Sequence, residues 1–493
     1  MARPTVLSRL QTTAALSLVL LFGSTQCSVN PATGQRELSL VSEAQEIAMG
    51  READPAIVAQ FGLYPDDDLQ RYVQDLGQRL AAESERPHLP WTFRVLDDPL
   101  VNAFALPGGF IYVTRGIMAH LDSEAELVGV LGHEIGHVTA RHGASQMSKA
   151  MLANIGFGLS AVLAPEATQA FGGLAQGLAG LLFLKYGRDD EKQADALGVR
   201  YALRTGHDPR ELIDVFETLG RVSAAAGAGG MPAWASTHPA PENRAVLINQ
   251  RVAQLNQPLD GLTVDRDEYW RRMDGVVFGS DPRQGFFIGS RFYHPEMAFV
   301  LDFPEGWQTV NQRSRVAALS PQQNALMDLT LAQGETPQAA GERFYSQSSI
   351  RAKGNWRRVT TGFRGLSRVF GVDDQQGAEV IEGMSNFVQD GERVYQLLGY
   401  GKASDRSVDW RGLERSLQTM RRLSNRKILD VQPRRLDVVR VRRDTRAEDL
   451  MQIAGDLTLE ELLLINRLDA GEIVAAGTEI RVARGFNPAN GLP

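Results

Sequence analysis

Three observations predict an α+β fold: a mainly helical domain with a small sheet, a smaller α+β domain behind it, and a short βααβ module at the end. The 493 residues are 43% hydrophobic and 23% charged, a globular composition long enough to bury several cores. Helical spacing dominates the first half, where Leu69, Tyr72, Val73, Leu76 and Leu80 mark one face. Past Arg251 it gives way to short alternating stretches, such as Ala298 to Phe303, Ala325 to Leu331 and Val394 to Tyr400.

The chain opens with a segment that does not belong to the fold. Arg3 and Arg9 precede an apolar run from Ala14 to Phe22, which reads as a signal peptide over residues 1–26. A spanning helix needs about 20 apolar residues, so a permanent anchor is the weaker reading. Cys27, the single cysteine, follows at once. The run Gly23 to Ser28 resembles a bacterial lipoprotein signal, which implies a lipid on Cys27 and attachment to the outer membrane from the periplasmic side. Residues 27–40 are polar and read as a tether.

The first domain is expected over residues 41–255. Asp66 to Asp68 favour the positive end of the helix that carries Leu69 to Leu80. Trp91 to Leu96 reads as a strand, and Val101 to Ala105 with Phe110 to Thr114 as a hairpin around Leu106-Pro107-Gly108-Gly109. Ser123 and Glu126 form a capping box that opens a helix carrying Leu127, Val128, Leu131 and Ile135. Residues 150–184 are rich in Gly, Ala and Leu and read as buried or lid-forming helices, with membrane or client contact as the alternative. A helix from Asp190 to about Thr205 follows, then a small-residue loop from Ala224 to Gly230. Residues 256–286 read as a linker, 287–425 as the second α+β domain and 436–484 as the final module. From Arg411 to Arg446 there are twelve Lys or Arg against four Asp or Glu, a solvated basic face that an anionic surface could exploit.

The chemistry concentrates at His133-Glu134-Ile135-Gly136-His137. Residues four apart share a helix face, so the two imidazoles can hold one zinc ion, and Glu134 can act as general base. One cysteine excludes internal disulfides and thiolate zinc sites. The net charge of −7 argues against a nucleic-acid partner, and no carboxylate pair marks a glycan hydrolase. A catalytic zinc needs a third ligand. His142 lies nine residues after His133, on the opposite face of a continued helix, so the ligand must come from elsewhere. Glu191 offers it, and Asp195, one turn on, can hold a ligand histidine by its other ring nitrogen.

With Val138 to His142 and Arg188 to Asp195, this constellation resembles family forty-eight of the metallopeptidases, over roughly residues 40–255. Val101 to Phe104 resembles the family's substrate-pairing edge strand, and Ser236-Thr237-His238-Pro239 its downstream His-Pro motif. The resemblance implies a gluzincin-type zincin fold and one Zn2+ per chain on His133, His137 and Glu191. It implies Glu134 as base, Asp195 behind the ligands, and Asn102, Ala103 and Phe104 as the substrate-binding edge. His238 and Arg244 are candidates to stabilise the oxyanion; His238 could instead occupy the fourth zinc position as a latch. Residues 287–425 resemble PsbP-like domains and residues 436–484 a LysM-like module, a glycan binder or a structural cap. The expected function is a zinc endopeptidase of misfolded or misassembled envelope proteins. The alternative is an envelope-protein assembly factor with a latent site. The expected partners are those proteins, a membrane through the lipid anchor, and peptidoglycan through the final module.

Overall fold

The computed structural model describes residues 27–156, 186–225, 234, 238, 244–255, 258–359, 362–374 and 377–493. The expected signal peptide, most of the Gly-, Ala- and Leu-rich stretch, most of the Ala224–Gly230 loop, and Ser236, Thr237 and Pro239 lie outside these residues. Among the described residues no helix is long and apolar enough to cross a membrane.

Strands β1 (Cys27–Val29) and β2 (Arg36–Leu38) pair as an antiparallel hairpin. Asn30 donates its amide to the Ala140 carbonyl at 3.1 Å, and Leu40 N–H bonds the Ser148 hydroxyl at 2.9 Å. The expected tether is therefore a docked hairpin, held because buried polar groups on both sides need these partners.

Helices α1 (Glu43–Phe61) and α2 (Asp67–Ala82) precede a three-stranded sheet of order β3-β5-β4. Strand β3 (Thr92–Leu96) runs parallel to β5 (Phe110–Thr114), and β4 (Ala103–Leu106) pairs antiparallel with β5. That leaves β4 as an edge strand. Helix α3 (Glu124–Thr139), buried throughout, crosses beneath it. Ser123 caps α3, but the expected capping box is only half formed: the Glu126 carboxylate accepts from Asp122 N–H at 2.8 Å and from Arg467 at 2.6 Å. At the other end Arg86 donates to the Val138 carbonyl at 2.8 Å. Arg141 then takes a positive φ of 61°, and the chain reverses into α4 (His142–Gly156). Helices α5 (Arg188–Arg204), α6 (Glu211–Ala225) and α7 (Arg244–Ala253) complete the shell around α3.

Residues 256–286, expected as a linker, belong largely to this core. Helix α8 (Arg266–Met273) buries Tyr269, Trp270 and Met273, and Val276, Val277 and Phe278 follow it in. Large apolar side chains at that spacing cannot stay in water when a core face is open to them.

The second region is α+β. One sheet has the order β16-β8-β7-β6, from β6 (Phe286–Ile288), β7 (Arg291–His294), β8 (Phe299–Asp302) and β16 (Arg421–Arg422). The larger sheet has seven antiparallel strands in the order β12-β13-β14-β15-β11-β10-β9. These are β9 (Gln308–Gln312), β10 (Arg315–Leu319), β11 (Ala325–Leu331), β12 (Ile350–Val359), β13 (Arg364–Asp373), β14 (Glu379–Asp390) and β15 (Arg393–Lys402). Helices α9 (Pro337–Tyr345) and α10 (Trp410–Leu417) pack on it.

The C-terminal block pairs β17 (Arg435–Arg440) with β20 (Glu479–Arg484), and between them β18 (Thr445–Arg446) pairs with β19 (Ile473–Val474). Its first expected helix is a 3-10 segment, Ala447–Gln452, and its second is α11 (Leu459–Ile465). The block does not stand apart. Leu436, Leu450, Leu462, Ile480 and Val482 share one apolar cluster with Leu127, Leu131 and Ile135 of α3.

Candidate metal centre

Small residues set how closely α3 and α5 approach. A Cβ on Gly132 would lie 3.1 Å from Gly198 Cα, and one on Gly136 3.0 Å from Ala194 Cα. Glu191, Ala194, Asp195 and Gly198 share one face of α5, so the contact that lets the helices touch also carries both carboxylates to His133 and His137.

His133, His137, Glu191 and His238 form a buried cluster whose donor atoms all lie within 4.8 Å of one another. His133 Nε2 is 3.0 Å from His137 Nε2 and 3.6 Å from Glu191 Oε2, and His137 Nε2 is 3.5 Å from Glu191 Oε1. His238 Nδ1 is 3.0 Å from Glu191 Oε1 and 3.4 Å from His133 Nε2. Ligands about 2.0–2.1 Å from a tetrahedral metal are about 3.3 Å from each other. The donor set fits such an ion.

The outward-facing nitrogens are each taken. His133 Nδ1 donates to Asp195 Oδ1 at 2.9 Å, which leaves its Nε2 lone pair toward the centre. His137 Nδ1 lies 2.9 Å from His142 Nδ1, and His142 Nε2 lies 2.9 Å from Gln193 Oε1. A proton on His137 Nδ1 and another on His142 Nε2 satisfy both bonds and again leave Nε2 of the inner histidine free. The expectation that His142 points away is therefore corrected. The left-handed Arg141 ends α3 and swings His142 beneath His137, where it serves as a partner of that ring.

Arg244 lies inside the site, against both carboxylates. Its Nε donates to Asp195 at 2.9 Å, its Nη2 bonds the same carboxylate, and its guanidinium stacks 4.0 Å from the Phe216 ring. Its Nη1, buried without a hydrogen-bond partner, lies 3.1 Å from Glu191 Oε2, so the guanidinium spans both carboxylates. The Tyr186 ring lies over His137 with centroids 3.9 Å apart, and Trp234 stacks on His238 at 5.0 Å. Neither aromatic carries a local sequence signal.

Burial pushes Glu134 above the ordinary carboxylate range against the pull of His238 and His133. Both its oxygens are buried without a hydrogen-bond partner, and one lies 3.6 Å from His238 Nε2. Burial opposes ionisation of Glu191 and Asp195 as well, but His238 and His133 at the first, and Arg244 at the second, hold both below their usual range. Burial, then His133 and His142, hold His137 well below its usual range and so neutral. Neutral imidazoles and ionised carboxylates are the forms that bind metals.

Of the expected substrate edge, Ala103 and Phe104 lie on β4 and Asn102 just before it, its buried Oδ1 unpartnered. The Phe104 side chain stacks on Tyr112 in a core with Ile57, so what this edge can present to a peptide is its backbone. Cys27 opens β1, with no bearing on this site.

Residues 67–252 match the model of peptidase family M48. The chain carries a peptidase M48 domain. Within it His133, His137 and Glu191 can hold a metal ion. The chain is 35% identical over 201 residues to a putative beta-barrel assembly-enhancing protease of Vibrio cholerae, covering 38% of this chain and 40% of that one. It is 33% identical over 188 residues to the mitochondrial metalloendopeptidase OMA1 of Arabidopsis thaliana (38% and 36%), and 30% identical over 237 residues to the beta-barrel assembly-enhancing protease of Escherichia coli K12 (46% and 47%). It thus spans less than half the length of each. Among solved structures, cyanobacterial PsbP from Synechocystis is similar over 28% of this chain and 94% of that chain, at 12% identity and a TM-score of 0.23, too low to support an argument about fold.

Proposed function

We propose that this chain is a zinc-dependent endopeptidase of the bacterial cell envelope that cleaves misfolded or misassembled envelope proteins. The observation that carries the reading is the buried cluster, two imidazoles and a carboxylate at tetrahedral spacing with the unpartnered Glu134 beside them. One zinc ion held by His133, His137 and Glu191 would supply Lewis acidity to a water and to the scissile carbonyl. Glu134 would take a proton from the attacking water and give it to the leaving amine, a role helped by a raised pKa. Asp195 and His142 keep the two histidines in the ligating tautomer, and Arg244 keeps Asp195 in place. The free edge of β4 pairs with an extended substrate. Relatives named beta-barrel assembly-enhancing protease support envelope proteins as the substrate class. Metal analysis should find about one zinc per chain. Glu134→Gln should keep that zinc and lose casein hydrolysis by about 10²–10⁴-fold; a fully active variant refutes the reading.

A second reading, an assembly factor with a latent site, is favoured by one observation: His238 is already a fourth donor in the cluster. As a latch it would exclude the attacking water, so His238→Ala should raise basal hydrolysis. As an oxyanion donor its loss should cost about 10²–10³-fold. Membrane attachment through Cys27 belongs to the same proposal, and Cys27→Ser should then move the protein to the soluble fraction. Sedimentation with purified peptidoglycan tests contact through residues 436–484.

A further inference from the structure

Two sheets of the second region end in strands that border the M48 domain: β9 is the last strand of the larger sheet and β6 the last of the smaller. A groove of about 510 Å³ is lined by both strands and by residues 97–100 of the M48 domain. Val310, Asn311 and Gln312, consecutive on β9, all line it. Neighbouring residues of a strand point to opposite faces, so a cavity that meets all three runs along the strand's edge. Among the described residues the backbone of β9 bonds only to β10. The edge therefore presents N–H and C=O groups to the groove.

Side chains fix the width of this groove. Arg313 Nη1 lies 3.4 Å from Asp97 Oδ2, and Gln284 Nε2 donates to the same oxygen at 2.8 Å. Asn311 donates Nδ2 to the Gly285 carbonyl, next to β6, at 2.8 Å. The buried Arg115 holds Asp97 from within the M48 domain, also at 2.8 Å. The strand edges and the loop are thus tied together around the groove. Its lining is apolar with one free acid. Phe61, Phe287 and the exposed Leu100 and Val310 supply the apolar surface. Asp97 and Asp281 are matched by Arg115, Arg313 and Arg283, whereas Asp98 has no ion pair among the described residues.

We propose that this groove takes an extended segment of the substrate polypeptide, which adds as a strand to β9 and sets apolar and cationic side chains into the groove. The occupant's identity as substrate rests on the endopeptidase reading. A free strand edge is matched by another backbone, which repeats N–H and C=O at the same spacing. Asp98 favours lysine or arginine in the segment that lies against it. Leu100 stands three residues before Ala103, where β4 begins, about 10 Å along an extended chain. A long unfolded chain can therefore be held at β9 while another part of it pairs with β4. Short peptides that reach only one edge should be the poorer substrates.

The test reads binding without hydrolysis. The full mature chain carrying Cys27→Ser and Glu134→Gln, loaded with zinc, is titrated into a fluorescent peptide and followed by anisotropy. The peptide has about eight residues, alternating valine and lysine. Binding is expected, at least about tenfold weaker in Leu100→Ser/Val310→Ser and when alternate peptide nitrogens are methylated. Glutamate in place of lysine, or Asp98→Asn, should also weaken it. Metal content and melting temperature of the double variant should match its parent. No binding, unchanged affinity in the double variant, or equal binding of the methylated or glutamate peptide overturns the proposal. The methylated peptide needs no variant, so the test survives one that fails to fold. Casein hydrolysis lost in Glu134→Gln alongside any of those outcomes would leave the endopeptidase reading standing without this groove.

Discussion

The M48 domain and the second α+β region are stabilised on different terms. The M48 domain shares one apolar cluster with residues 269–278 and with the C-terminal block, from Tyr64 to Ala483. The second region closes on clusters of its own, around Phe292, Leu397 and Leu413 and around Phe344, Phe370 and Phe387. Its two ends meet: Phe278 N–H donates to the Arg434 carbonyl at 2.8 Å, and Val277 bridges Arg435. The second region is thus an insertion, and the block most distant in sequence from α3 braces that helix. Chain order is a poor guide to mechanical dependence.

The sharpest way to break this comparison is to cut the chain in two places. Ending it at Val431 strips Leu436, Leu450, Leu462, Ile465, Ile480 and Val482 from the shared cluster. At about 1.5–3 kcal/mol for each buried side chain, the loss is about 10 kcal/mol or more, enough to unfold a domain of ordinary stability. Replacing residues 281–432 by a short Gly-Ser linker should instead leave a folded, metal-binding chain. Circular dichroism melting and metal content check both, and a stable truncation at Val431 would show the block to be a passenger.

A single residue probes the same seam. Arg481 is buried and donates to the carbonyls of Ala119, at 3.3 Å, and of Leu121 and Ile465, just before α3 and within α11. Arg481→Ala leaves those carbonyls unpaired and should cost about 3–5 kcal/mol. The exposed Arg484→Ala should cost under about 1 kcal/mol. Comparable chemical-denaturation midpoints for the two would remove the seam from the account.

Within the M48 domain, His142→Ala should weaken metal affinity about 10–100-fold in a chelator competition, because His137 loses the partner that sets its tautomer. An unchanged affinity would reduce His142 to packing.

The smallest expected effect is a pH profile. Burial, opposed by Arg467, pushes Glu126 up to about 7 from 4.5. Between those values the folded chain keeps a proton that the unfolded chain has lost, so this group's contribution to stability falls as pH rises from about 4.5 to about 7. The parent should lose a few degrees of melting temperature across that window relative to Glu126→Gln. Parallel profiles would show that Glu126 is ionised throughout.

The sequence by itself determined what short range can hold. His133, Glu134 and His137 sit on one turn of one helix, Ser123 caps it, and Glu191 and Asp195 face the same way because four residues make about one turn. The strands around Leu106 to Gly109 were equally legible from turn residues and alternation. Only the tertiary structure decided what depends on distant packing. Gly132, Gly136, Ala194 and Gly198 set the helix spacing that brings Glu191 to the histidines. One left-handed residue, Arg141, turned His142 from the far side to the near side of His137. Residues 256–286 and 436–484 carry the apolar spacing of independent segments, and nothing local tells a side chain which core it will join. That choice belongs to whichever face is left open when the rest of the chain has folded, and here the open face was that of the M48 domain.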